Sequence, residues 1–326
     1  MTEPALSVLG CGRWGSFILW YGSRCGMRVT GWEPPDSEPF RSLAERRSTE
    51  ILDLPEDVAL TTDLGEAVGG AGLLAVAVPA QRFRGVAARL SGFDLSGTDL
   101  VLCMKGLEAG TGMRLSEIAS EEGVDAASVS AWVGPGHPQQ LVRGVPSCML
   151  VASADPSAAE RVASVLGSDL VRFYRSRDLP GCETGAAAKN VIGIAGGILD
   201  GLGMTGLKGA LMARAPQEIA RLVSVMGGDW RSVYGLSHLG DYEATLFSEY
   251  SRNRAYGQAL ARGGRSEGLA EGVETSRAME RLGTGLGVEL PITSAVRMIL
   301  DGELSPESAI EVLFGRPERE EFPDSF

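Results

Sequence analysis

Apolar and polar positions divide the chain into two patterns. In the first half, short apolar runs alternate with stretches of helical spacing. Leu6–Leu9 is a brief run bounded at once by glycines, Ser16 to Cys25 spreads large apolar residues at helical spacing, and "MRVTGW" (Met27–Trp32) returns as a second strand. "GLLAVAVPA" (Gly72–Ala80) is continuously apolar, as expected of a strand buried on both faces, and Pro79 closes it. "DLVLCMKG" (Asp99–Gly106) is another such run. "SAWVGPGHPQQLVRG" (Ser130–Gly144) reads as a later strand followed by a Gly/Pro-rich loop. This alternation predicts an α/β fold with an N-terminal Rossmann-like doubly wound sheet. From about Asp178 the strand-like runs stop. "RAPQEIARLVSVM", "SEGLAEGVETSRAMERL", "ITSAVRMILDG" and "SPESAIEVLFG" all have helical spacing, several with Ser or Pro at their starts, which predicts a C-terminal all-α domain.

The first turn carries chemistry. Gly10, Gly12 and Gly15 form G-x-G-x-x-G between the first strand and the first helix. Gly10 permits the tight turn, Gly12 lets the backbone approach a pyrophosphate, and Gly15 lets helix and strand pack closely. The diphosphate would sit on N–H groups at the positive end of that helix, beside Arg13 and Trp14. Glu33 lies 18 positions after Gly15, where an acidic side chain accepts hydrogen bonds from the adenosine ribose. A carboxylate there repels the 2′-phosphate of NADP, which predicts NAD, with NADP the alternative should Arg24, Arg28 or Arg41 lie nearby. Pro79 is a further cofactor-binding candidate. Lys105, at the carboxyl end of its strand, lies where ligands bind in such sheets; the alternative is a solvated loop lysine. The expected division is 1–180 for dinucleotide binding, 181–318 for a helical substrate and catalytic domain, and a disordered tail at 319–326.

The second half raises one question. "CETGAAAKNVIGIAGGILDGLG" reads as a buried, close-packed helix, yet Lys189 sits inside it with Asn190 beside it. Burial disfavours the charged form of a lysine and pulls its pKa towards neutrality, a useful place for moving a proton to or from a carbonyl or alcohol oxygen. Further along, "HLGDYEATLFSEYSRNRAYG" gathers Asp241, Thr245, Ser251, Arg252, Asn253 and Arg254. Taken singly, Asp241 is readable as a helix cap and the arginines as a solvated face.

Composition narrows the class. The 326 residues carry a net charge of −12, which argues against nucleic acid as a partner and requires that any anion site be made locally. The five cysteines are widely spaced with no CxxC pair, which fits a reducing compartment, and with two histidines no metal centre is expected. No basic signal-peptide region opens the sequence and no apolar run reaches the ~18–20 residues needed to span a bilayer, so no membrane association and a cytoplasmic location are expected.

In order, "GCGRWG", "VAVPAQRFRGV", "MKGLE", "GPGHPQQLVRGVPS", "ETGAAAKNVIGIAGGILDGLG", "GLSHLGDYEAT", "SRNRAYG" and "AEGVETSRA" resemble the bacterial NAD(P)-dependent glycerol-3-phosphate dehydrogenase family over nearly the whole chain. The K-N, G-D-x-x-x-T and S-R-N-R elements are specific to that family; the glycine motif is not. The resemblance implies that Lys189 is the general acid/base on the substrate C2 oxygen, with Asn190 beside it. Lys105 would line the same site, Asp241 and Thr245 would set the charge and orientation of Lys189, and Arg252 and Asn253 would contact the anionic groups of substrate and cofactor. Glu271 would lie near the nicotinamide ribose. It further implies reduction of dihydroxyacetone phosphate by NADH bound across the sheet, a supply of glycerol 3-phosphate for glycerophospholipid synthesis, and a homodimer.

Two departures touch the substrate wall. The family usually has G-P-S-F-A where this chain has "GPGHPQQ", which makes Gly134 and His137 substrate-binding candidates, His137 having a structural loop role as its alternative. Where the family tends to have G-D-N-A-K-A-A, this chain has "MTGLKGA". These changes keep open a related dehydrogenase acting on another phosphorylated ketone or polyol. A non-catalytic NAD-binding protein is the third reading.

Overall fold

The computed structural model describes residues 4–264, 270–318 and 320–321, without the side chains of Pro39 and Glu243. The expected helix start at Ser266 and most of the expected tail at 319–326 lie outside the described residues. The chain forms two compact units. Residues up to Met104 together with Leu115–Leu179 make the first; Lys105–Arg114 with the chain from Pro180 onward make the second.

Among the described residues the first unit holds one eight-stranded sheet. Its strands are β1 (Ala5–Leu9), β2 (Arg28–Trp32), β3 (Ala59–Thr61), β4 (Leu73–Val76), β5 (Leu95–Leu102), β6 (Ala126–Val133), β7 (Ser147–Ser153) and β8 (Val171–Ser176). The spatial order is β3-β2-β1-β4-β5-β6-β7-β8, with every neighbouring pair parallel except β6 and β7. The helices between the strands are α1 (Arg13–Arg24), α2 (Glu38–Arg46), α3 (Leu64–Val68), α4 (Phe83–Leu90), α5 (Leu115–Glu121), α6 (Pro138–Val142) and α7 (Pro156–Leu166). The central strand β4 is apolar throughout because both its faces are buried, and all four of its residues are buried. The apolar run at Gly72–Ala80 outlasts its strand, which ends at Val76. Pro79 lacks the N–H that would extend the ladder, and Ala80 already opens a short 3-10 turn.

The second unit is helical: α8 (Leu179–Gly201), α9 (Lys208–Val225), α10 (Arg252–Ala261), α11 (Glu271–Leu286), α12 (Pro291–Leu300) and α13 (Pro306–Phe314). Pro216 reads as a helix start, but α9 begins eight residues earlier at Lys208 and runs through it. The ring forfeits one backbone hydrogen bond; burial of Leu211, Ala215, Ile219, Leu222 and Val223 along the same helix carries it past the break. Glu218 of α9 completes the start of α12 by accepting hydrogen bonds from the N–H groups of Ile292 (2.7 Å) and Thr293 (2.9 Å) and from the Thr293 hydroxyl (2.7 Å). No helix among the described residues is long and apolar enough to cross a membrane.

The small residues of α8 are there so that backbones can meet. Gly193, Gly197 and Gly201 recur every four positions and so share one helix face. A Cβ at Gly193 would stand 2.6 Å from the Thr245 methyl, one at Gly197 would fall on the Arg254 carbonyl, and one at Gly201 would stand 2.8 Å from the Gln258 carbonyl oxygen. In return, a Cβ at Gly257 would fall on the Ile194 carbonyl, and one at Gly272 would come 2.6 Å from the Asn190 carbonyl oxygen. Gly197→Ala should therefore destabilise the chain by about 1–3 kcal/mol through overpacking. Gly206→Ala, where nothing lies within 4 Å of the added carbon, should be nearly neutral; paired urea denaturation curves check both.

Candidate active site

The glycine turn after β1 is built as a cradle. Gly10 has φ +104, and a Cβ there would lie 2.7 Å from the Ala77 carbonyl carbon, so only glycine fits. A Cβ at Gly15 would fall on the Gly10 carbonyl, whereas Gly12 has nothing within 4 Å of that position. That opening lies at the start of α1, whose N-cap is Gly12 and whose cap makes no side-chain hydrogen bond. Arg13 is exposed at the first helical position. Trp14 packs on Phe17 (ring centroids 5.0 Å apart) and edge-on to Trp132 (5.7 Å). Glu33 follows the last residue of β2, and its Oε1 accepts a hydrogen bond from the Cys11 N–H at 2.8 Å. The carboxylate is thus anchored to the turn with acceptor capacity remaining for ribose hydroxyls. Pro79 follows β4. An open backbone cradle at a helix N-terminus with a carboxylate tied to it fits the diphosphate and ribose of a dinucleotide.

Gly134 and His137 belong to the same unit, in the loop after β6. Gly134 has φ +114 and His137 is the N-cap of α6. The His137 carbonyl accepts the N–H groups of Gln140 (2.9 Å) and Leu141 (3.1 Å).

In the second unit the sequence candidates converge. The Lys189 side chain is 13% exposed; its Nζ donates to Thr245 Oγ1 at 3.0 Å and lies 3.3 Å from Asp241 Oδ2. Lys105 Nζ lies 2.6 Å from the same Oδ2, three residues beyond the end of β5. Thr245 passes its own proton to the Asp241 carbonyl at 2.8 Å, which leaves its oxygen lone pairs towards Lys189. One almost fully buried carboxylate therefore holds two ammonium groups through a single oxygen. Burial pushes the Lys189 ammonium down to about 8; the Asp241 carboxylate opposes this, Lys105 adds to it, and Glu271 at the start of α11 opposes it.

A chain of amides fixes the surrounding backbone. Asn190 Nδ2 donates to the Lys105 carbonyl (2.8 Å), Asn253 Nδ2 donates to Asn190 Oδ1 (3.0 Å), and the Gly272 N–H donates to Asn253 Oδ1 (3.1 Å). Four separate segments are thus tied to one another around Lys189. Arg252 is exposed beside Asn253 at the first position of α10. His238 is buried: its Nδ1 is 2.8 Å from the Gly185 carbonyl and its Nε2 2.6 Å from the Tyr242 hydroxyl. The carbonyl can only accept, so Nδ1 carries the proton and Nε2 accepts from Tyr242. Burial holds the ring neutral, its pKa pushed down to about 4. His238 braces α8.

Family comparison covers both units. Residues 5–159 match the model of the NAD-dependent glycerol-3-phosphate dehydrogenase N-terminus, and residues 178–311 match that of its C-terminus. The chain belongs to that family. It is 39% identical over 324 residues to a glycerol-3-phosphate dehydrogenase (NAD(P)+) of Deinococcus radiodurans, covering 97% of each chain. It is 37% identical over 323 residues to one of Azorhizobium caulinodans, covering 97% of this chain and 98% of that one. A crystal structure of glycerol-3-phosphate dehydrogenase from Coxiella burnetii superimposes with a TM-score of 0.89 at 27% identity, over 96% of this chain and 99% of that one.

Sequence reading missed one group next to this site. Asp200, Lys208 and the half-buried Arg254 form an ion cluster around a buried carboxylate: Lys208 Nζ is 2.6 Å from Asp200 Oδ1 and Arg254 Nε 2.5 Å from Asp200 Oδ2. Arg254 is thus not on a solvated face. Lys208 belongs to the "MTGLKGA" segment read as substrate wall; Thr205 and Gly206 there are exposed, but Lys208 turns inward. No local signal marked it: Lys208 opens its helix three residues before the buried Leu211, and its partner Asp200 lies on the preceding helix.

Glu33→Gln should weaken NADH binding about tenfold, the scale of one charged hydrogen bond, and narrow the gap to NADPH. Titration of tryptophan fluorescence with each cofactor measures both.

Proposed function

We propose that this chain reduces dihydroxyacetone phosphate to sn-glycerol 3-phosphate with NAD(P)H, reversibly. The observation that carries the reading is Lys189 bonded to both Thr245 and Asp241 in a chain of this family. Residues 1–180, apart from the Lys105–Arg114 segment that belongs to the helical unit, bind the dinucleotide, and 181–318 together with that segment move the proton. The bound cofactor supplies the hydride.

Lys189 holds the proton destined for the C2 oxygen. Its lowered pKa makes that proton easy to give near neutrality and easy to regain in the reverse direction. Thr245 fixes the direction of the ammonium, and Asp241 keeps enough charge on it for the protonated form to persist. Two ammoniums against one carboxylate leave Lys189, Lys105 and Asp241 with a net positive charge, which stabilises oxyanion development at C2 and favours an anionic substrate in an acidic protein. Arg252 and Asn253 take the phosphate, a guanidinium fork suiting it through paired charge-assisted hydrogen bonds. Gly134 and His137 contribute to the substrate loop, and Glu271 lies towards the nicotinamide ribose. We place the reaction in the cytoplasm, feeding glycerophospholipid synthesis, with the enzyme a homodimer.

The test is NADH oxidation by purified protein with dihydroxyacetone phosphate. Turnover should be lost by a factor of about 10²–10⁴ in Lys189→Met, the range for a positioned acid. NADH binding without turnover of dihydroxyacetone phosphate would defeat the substrate assignment. The pH dependence carries a sign. Reduction needs protonated Lys189, so its kcat should be flat below pH about 8 and fall above it. Oxidation of glycerol 3-phosphate needs neutral Lys189, so its kcat should rise through the same pH; initial rates in both directions check this.

A further inference from the structure

Asp200, Lys208 and Arg254 touch the acid–base residues only through backbone, and the backbone they hold is specific. Lys208 Nζ donates to the Leu246 carbonyl at 2.8 Å, and Arg254 Nη1 to the Ser248 carbonyl at 3.4 Å. The Lys208 ammonium also lies 5.1 Å from the centre of the Phe247 ring. Leu246 and Phe247 end the single π-helical turn Glu243–Phe247, and Thr245 stands within it. Such one-turn π segments depart from the regular α-helical ladder. Here two cations hold the carbonyls at its end, and one buried carboxylate fixes both. On its other side the turn meets Gly193 of α8, where there is no Cβ to spare.

We propose that Asp200 is a positioning residue for the acid–base group: by clamping Lys208 and Arg254 it pins the Leu246 and Ser248 carbonyls and so holds Thr245 and Asp241 against Lys189. The inference rests on the proposed reaction for its kinetic meaning. Its structural content, the placing of Lys189's partners, is measurable without substrate.

The charged and titratable groups that act on Lys189 are Asp241, Lys105 and Glu271, and His238, held neutral, lies close enough to feel its charge. If the clamp is released, the turn drifts and Lys189 loses the Asp241 carboxylate that sustains its protonated form, while Lys105 still opposes that form. The glycine face of α8 is untouched by these changes and still closes water off from the ammonium, so the loss of Asp241 lowers the pKa of Lys189 below its wild-type value of about 8. Simple through-space electrostatics makes a different forecast. Asp200→Asn removes a negative charge and lowers the pKa under either account. Lys208→Met removes a positive charge, which through space raises the pKa; loss of positioning lowers it.

The experiment is competitive acetylation of the full-length protein with acetic anhydride across pH, Lys189 being followed by peptide mass spectrometry, for wild type, Asp200→Asn and Lys208→Met. A lowered Lys189 pKa in both variants, with kcat for dihydroxyacetone phosphate reduced about tenfold to a hundredfold and NADH affinity unchanged, is the expected result. A raised or unchanged pKa in Lys208→Met overturns the proposal. Should either variant fail to fold, Arg254→Lys keeps the charge but shortens the reach to Ser248: it should lower the Lys189 pKa, and a wild-type value there equally overturns the clamp. A wild-type protein that fails to reduce dihydroxyacetone phosphate defeats the proposed reaction while leaving the labelling result to decide the positioning.

Discussion

Everything in the second unit depends on backbones approaching without side chains between them. The face of α8 formed by Gly193, Gly197 and Gly201 lets the 245–258 segment lie directly on it, and Gly272 lets α11 reach the Asn190 carbonyl. Lys189 is on this same helix. The closeness excludes water from its ammonium, and that desolvation is the largest influence on its protonation. Partners must then be supplied, and the approaching chain brings them in Thr245 and Asp241. Packing and proton chemistry are thus one constraint met twice. A bulkier helix would separate the segments, rehydrate the lysine and remove its partners in one step.

The dinucleotide side solves a different problem. There the backbone must come close to a ligand rather than to another helix, so the glycines are of two kinds. Gly10 and Gly15 are filled by protein on their Cβ side, whereas Gly12 is open. Glu33 is the link between turn and strand: accepting the Cys11 N–H keeps a carboxylate beside the turn at small cost, since a charged acceptor is well satisfied by a backbone donor.

Much of this was legible in the chain because the relevant signals are local. β4 and β5 are found from continuous apolar runs, β1, β2 and β6 from shorter runs beside glycines, and the glycine turn from its spacing. β3 was not legible because three residues carry no periodicity, and β8 because an edge strand with Arg172 and Arg175 reads as surface. α9 was cut short in the reading by Pro216, whose local cost is real but is outweighed by burial that only the folded unit reveals. In the site, Lys189 stood out as a charge in an apolar helix. Asp200 did not, since its meaning lies in Lys208 and in Arg254, 54 positions away. Ion pairs between distant segments leave no pattern in either segment.

The short loop Lys105–Arg114 interrupts the sheet-forming half of the chain, yet belongs to the helical unit. Lys105 finds Asp241 across 136 residues of sequence. At ordinary rates of translation, those residues take on the order of ten seconds to be made. On the ribosome, the sheet can begin to close around this loop well before the helices that claim it exist. The helical unit cannot be completed even then, because α12 takes its cap from Glu218 and so ties the end of the chain to its middle. Lys105 and Lys189 can thus be brought onto their shared carboxylate only late, and a chain released early holds a nearly finished sheet without the Asp241 that joins them.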